Sequence, residues 1–118
     1  MSHPYHHALS SVKKFGGCPS DYTSIHAWFD ESKSAYADFR HRALRHHSMG
    51  IFQLEKFFGS ILVNSDRKEI PVRLIGEQHV IEDLGRIPSI QDWYETIVSK
   101  EWMYRNTTKL SQELSNAQ

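Results

Sequence analysis

At 118 residues, with 14 basic and 14 acidic side chains that cancel, the chain has the size of one domain and no global field to draw in nucleic acid or an anionic membrane. Its single cysteine, Cys18, excludes an internal disulfide and fits a reducing cytosol. No apolar run approaches the ~20 residues of a membrane span, and the polar, His-rich N-terminus has no signal-peptide core, so a soluble cytoplasmic protein is expected.

MSHPYHHALSSVKKFGG predicts a first helix. Pro4 suits the first helical position, where its missing N–H is not needed; Tyr5, Ala8, Leu9, Val12 and Phe15 recur at helical spacing, and Gly16-Gly17 stop the run. Asp21 to Phe29 predicts a short second helix, capped by Ser20 or Asp21, with Tyr22, Ile25, Trp28 and Phe29 on its apolar face. The longest helical period runs from Ser34 to Gly59. On a continuous helix Tyr36, Phe39, Ala43, His46, His47, Gly50, Leu54, Phe57 and Phe58 share one stripe, opposite Asp38, Arg42, Arg45 and Lys56. The tryptophans Trp28, Trp93 and Trp102 are expected in the core with Phe29 and Phe39.

After Gly59 the pattern turns extended. Ser60–Asn64 and Lys68–Ile75 flank Ser65-Asp66-Arg67 and predict a β-hairpin, with Pro71 confined to an edge or a bulge. Gly76 breaks the strand, and Glu77 to Leu84 form a two-turn helix ended by Gly85. A capping box of Ser89 and Asp92 opens a last helix with Ile90, Trp93, Tyr94, Ile97 and Val98 on one face. The expected fold is α+β, a mainly helical single domain over residues 1–104 with about five helices and one hairpin. Residues 105–118 read as a polar, flexible tail.

The chemistry rests on histidine. His3 and His7 are four apart on the first helix, a spacing that lets two imidazoles reach one ion. His26 and Asp30, and His79 and Asp83, repeat that spacing, while Asp38 and His41 are three apart. Each such pair is a ligand pair, a histidine oriented by its carboxylate, or a surface ion pair worth little. His46 and His47 lie within an apolar stripe, and a buried imidazole needs partners for both nitrogens, from core hydrogen bonds or from a metal. Mixed His/carboxylate ligation suits zinc, with iron or manganese favoured as carboxylates are added, and is typical of sites that keep a position open for water, the route to hydrolysis. The row Arg40, Arg42, Arg45 is diluted by Asp38 and Glu55, which disfavours nucleic acid.

The segments "HPYHHA", "YTSIHAWFDESK", "DFRHRALRHHSMGIF" and "PVRLIGEQHVIEDLGRIPS" give the chain a further property. Over His3 to Met103 it resembles a family of short bacterial and phage proteins with no assigned function. The resemblance implies a shared role for His3, His7, His26, His41, His46 and His79, together with Asp38, Glu77, Gln78 and Asp83; His6 and His47 fall where the family pattern uses other residues.

The expected function is a small cytosolic His-cluster metal-binding protein, in its sharper form a metal-dependent hydrolase. His3, His7, His26, His41, His46 and His79 are the candidate ligands of a divalent transition metal, zinc before iron or manganese. Glu77 and Asp83 are the candidate ligands or general bases. The competing expectation is a non-catalytic interaction module, a small inhibitor or adaptor of a mobile element, whose histidines are structural. A small molecule or a protein is the expected partner, with no membrane, and a homodimer is permitted.

Overall fold

Pro4 begins helix α1 (Pro4–Phe15), and His3 caps it, its ring Nδ1 accepting the Tyr5 N–H at 3.1 Å. The computed structural model describes residues 3–105. A 3₁₀ turn at Pro19–Asp21 leads into α2 (Thr23–Asp30), and two more at Glu31–Ser34 and Phe39–Leu44 lead to α3 (Ser48–Phe58). Strands β1 (Ile61–Val63) and β2 (Glu69–Pro71) form an antiparallel hairpin in which Leu62 faces Ile70. Helix α4 (Val72–Leu84), α5 (Ile90–Tyr94) and a 3₁₀ turn at Glu101–Tyr104 follow. The fold is α+β and mainly helical, as expected. Helix α4 packs against α1, α2 and α3 at once, and Tyr22, Ile25, Phe29, Leu54, Ile75 and Val80 fill the space between them. Among the described residues no helix is long and apolar enough to cross a membrane. Of the tail expected at 105–118, residues 106–118 lie outside the described residues.

The helix expected from Ser34 to Gly59 is instead two pieces. Asp38 accepts the Arg40 N–H at 2.9 Å and so starts a 3₁₀ turn. His47 has extended backbone (φ −163°, ψ 173°) and caps α3, its Nδ1 accepting the Gly50 N–H at 3.0 Å. Local side-chain hydrogen bonds thus outcompete a continuous helix. The single apolar stripe dissolves with it: Phe39 is 64% exposed and Phe57 71%.

Two further boundaries differ. Strand β2 ends at Pro71, whose fixed φ of −61° makes it the cap of α4, so the helix starts five residues before Glu77. Gly76 lies inside α4 rather than breaking a strand; a Cβ there would stand 2.8 Å from Leu54 Cδ2 and 3.3 Å from Phe29 Cζ, so glycine sets how closely α3 and α2 approach. At the C-terminal end the capping box is present, with Ser89 accepting from the Asp92 N–H and Asp92 from the Ser89 N–H. Helix α5 nevertheless stops at Tyr94, leaving Ile97 and Val98 exposed, and Trp102 is exposed rather than core.

Asp21 ties the first 3₁₀ turn to the hairpin. Its carboxylate accepts the backbone N–H groups of Cys18 and Ser65, both at 2.9 Å, and the Ser65 hydroxyl. Asp21→Ala is expected to lower stability by about 1–2 kcal/mol, the usual worth of such a cap. Urea titration measures it, and metal content is expected to stay unchanged because the Asp21 carboxylate bonds Cys18 and Ser65 and none of the histidines described next.

Candidate metal centre

Five segments deliver polar side chains into one buried volume. Helix α4 presents Gln78, His79, Glu82 and Asp83, two i,i+4 pairs side by side on one face. Helix α1 adds His7 and Ser11, α2 adds His26 and Asp30, the 3₁₀ turn at Phe39–Leu44 adds His41, and the joint before α3 adds His46. His7, His26, His41, His46 and His79 are each at most 2% exposed, and Asp30 is 8%. The Asp83 side chain is 2% exposed. The indole of Trp93 donates to the His46 carbonyl at 3.0 Å and fixes the joint that carries that ring.

Hydrogen bonds place a proton on one ring nitrogen of four of these histidines. His7 Nδ1 lies 2.7 Å from Glu82 Oε1 and donates to that carboxylate, while its Nε2 lies 3.2 Å from Asp83 Oδ1. Burial works against a charge on this ring, but Asp83 and Glu82 outweigh it and raise its pKa. His41 Nδ1 lies 2.7 Å from the Asp38 carbonyl, which only accepts, and its Nε2 faces Asp30 Oδ1 at 3.4 Å. For His79 the assignment runs through a relay. The Gln78 amide NH₂ donates to the His7 carbonyl and to Glu82, an orientation that turns the Gln78 Oε1 toward Ser11; the Ser11 hydroxyl donates to that oxygen at 2.7 Å and accepts from His26 Nε2 at 2.8 Å. His26 Nδ1 therefore carries a lone pair and accepts from His79 Nδ1 at 2.9 Å. His79 Nε2 faces the two carboxylates, 3.2 Å from Asp83 Oδ2 and 3.7 Å from Asp30 Oδ1. His46 Nε2 meets the same two oxygens, at 2.9 and 3.6 Å.

Burial is the main influence on His26, followed by the imidazoles of His79 and His7, and its pKa is pushed down to about 2, so the ring is neutral. Burial likewise lowers His46, despite the Asp83 carboxylate beside it. Burial works against a charge on Asp83, but the surrounding rings of His46, His7 and His79 outweigh it and hold the carboxyl well below the usual range. Asp30 is depressed in the same way, His79 being the strongest opposing influence to burial.

These residues fit a divalent metal. One atom each from Asp30, His46, His79 and Asp83 lie within 4.8 Å of one another. The four His–Asp edges of that group, 2.9, 3.2, 3.6 and 3.7 Å, bracket the about 3.3 Å separating tetrahedral ligands with ~2.0 Å bonds. In the cluster His79 Nε2, His7 Nε2, His46 Nδ1 and Asp30 Oδ2 are buried without hydrogen-bond partners, a state that costs free energy; an ion between the carboxylates would meet all of these but His46 Nδ1. The two aspartates match the charge of a divalent cation, and Glu82 and the Asp38 carbonyl hold their histidines as outer partners of metal ligands do. A second group, His7, His26 and His79, is also close enough for a metal, but both nitrogens of His26 are already engaged in the relay.

Of the residues singled out from sequence, the structure brings His7, His26, His41, His46, His79 and Asp83 together. His3 stands apart as the exposed cap of α1, and Glu77 faces outward to Arg73 at 3.6 Å. His47 is a structural histidine, its Nε2 donating to the Leu44 carbonyl at 3.0 Å while its Nδ1 caps α3. Two residues of the cluster, Glu82 and Ser11, are absent from the sequence analysis, and Asp30 appears there only as the partner of His26. Glu82 was legible only as the partner of Gln78 at i,i+4, parallel to His79 and Asp83. Ser11 shares a helix face with His7, one turn on.

A family model described as a domain of unknown function (DUF6915) matches residues 2–103. No curated protein matches the chain, and no solved structure does.

Proposed function

The chain belongs to the DUF6915 family of domains of unknown function, and we propose that it binds one divalent transition metal through Asp30, His46, His79 and Asp83, with His7 and His41 within reach of the same two carboxylates. The observation that carries this reading is the convergence of Nε2 atoms on two ionised aspartates while the Nδ1 protons of His7, His41 and His79 are committed elsewhere. An Nε2 atom beside a carboxylate is held there by a proton or by a metal cation, and one divalent ion between Asp30 and Asp83 would serve several of these rings at once. Four ligands of this mixture suit zinc; recruiting His7 and His41 would make six donors and suit iron or manganese. A bound divalent ion supplies Lewis acidity, and with that the reading extends to a metal-dependent hydrolase. In it Asp83 serves as a ligand rather than as a base, and Glu82 keeps the His7 ring oriented.

The competing reading, an interaction module with structural histidines, draws on exposed apolar side chains such as Phe39, Phe52, Phe57 and Val98. It leaves the unpartnered nitrogens unexplained. Elemental analysis of protein purified without a polyhistidine tag separates the two. About one equivalent of transition metal is expected, and restoring zinc, iron or manganese to chelated protein is expected to raise the melting temperature by roughly 10 °C or more, as tight binding to the folded state alone requires. Less than about a tenth of an equivalent, with no thermal gain from any of the three, rejects metal binding.

A further inference from the structure

Three arginines lie within six positions, and two are fully employed. The Arg40 guanidinium holds Asp38 at 2.7 Å and covers the Tyr36 ring. The Arg45 guanidinium donates to the Trp28 carbonyl and to Glu31, and lies 4.0 Å over the Trp28 ring. Arg42 is different. Among the described residues its guanidinium makes no hydrogen bond: Nε is buried without a partner, and the nearest carboxylate oxygen, Asp83 Oδ1, is 3.9 Å from its terminal nitrogen. That oxygen is already 3.2 Å from His7 Nε2.

A guanidinium offers five donors in a planar fork and keeps its charge at any physiological pH, so leaving its buried donors unused is costly. Its surroundings also differ from those of the ligands. The Arg42 side chain is 16% exposed where the Asp83 side chain it faces is 2% exposed, so Arg42 reaches from solvent to the edge of the cluster. Once Asp30 and Asp83 are matched by a divalent cation, Arg42 shares the one carboxylate within its reach among the described residues, Asp83 at 3.9 Å, with that cation. A fork of this kind is complementary to two oxygens of one anion.

Resting on the metal-binding reading, we propose that Arg42 is the anion-recognising residue of this centre, receiving the phosphate or carboxylate group of a small substrate as that group meets the metal. Arg42 binds and orients the anion; no proton transfer is assigned to it.

The test uses the full chain loaded with cobalt(II), whose visible absorption reports its ligands, titrated separately with inorganic phosphate and with acetate. At least one anion is expected to change the spectrum saturably, and the tighter of the two identifies the class of group recognised. Arg42→Gln is expected to weaken that anion by tenfold or more at unchanged cobalt stoichiometry, and Arg42→Lys, which keeps the charge but not the fork, to fall between. A wild-type spectrum indifferent to both anions overturns the proposal. So does an Arg42→Gln or Arg42→Lys protein that binds the anion as tightly as wild type. Failure of the wild-type protein to take up cobalt is a separate outcome, which removes the metal-binding reading and this inference with it.

Discussion

Asp83→Asn is expected to abolish metal retention. The amide keeps the shape of the carboxylate but loses the charge that three imidazole Nε2 atoms, from His7, His46 and His79, surround at 2.9 to 3.2 Å. Residues that only orient a ligand typically cost 10–100-fold in affinity, so loss of a ligand bridging three histidines is expected to cost on the order of 100-fold or more. The useful comparison is the shift in melting temperature on adding a chelator: large for the wild type, absent for Asp83→Asn. If the histidines are structural, the variant instead loses roughly 3–5 kcal/mol, as when one member of a buried ion pair is removed, and the chelator affects neither protein. Wild-type metal content in Asp83→Asn would exclude Asp83 as a ligand.

The second large effect is expected at Gly50. An alanine Cβ there would lie 1.8 Å from the Arg45 carbonyl oxygen, and a backbone atom cannot swing away as a side-chain tip does. Either the first turn of α3 or the segment from Arg45 to His47 has to move, and His46 rides on that segment. Gly50→Ala is expected to cost roughly 3–5 kcal/mol, at the high end for a single substitution, despite the gain in helix propensity. Urea denaturation gives the loss directly. Because His46 shifts with the backbone, metal content is expected to fall as well, a pairing that Asp21→Ala does not produce.

Gly50 also shows why the sequence was legible in some places and not in others. Signals that act within a few residues were readable: Pro4 opening α1, the Ser89/Asp92 box, the hairpin, and the pairing of His79 with Asp83 on α4. The break in the supposed long helix was not, because its cause is two imidazole and carboxylate caps that look, by periodicity, like ordinary positions on a helix. Neighbouring histidines consequently have opposite roles, with His46 aimed into the cluster and His47 capping a helix. Gly76 misled for a related reason: a glycine that permits close packing of helices looks the same in sequence as one that ends a strand. Glu82 could not be assigned because its partner His7 lies 75 positions away. No local pattern encodes a contact of that range; the topology does.

The depth of the cluster bears on how an ion would come and go. With every candidate ligand side chain at most 8% exposed, an ion held by Asp30 and Asp83 would be released only as helices α1, α2 and α4 part locally, whereas an anion approaches along the partly exposed Arg42 side chain. The rate of release is then set by an opening fluctuation of the protein and not by ligand strength alone. Such a protein is poorly suited to ferrying metal from donor to acceptor or to buffering a fluctuating pool. It is suited to acquiring one ion as it matures and keeping it throughout its lifetime.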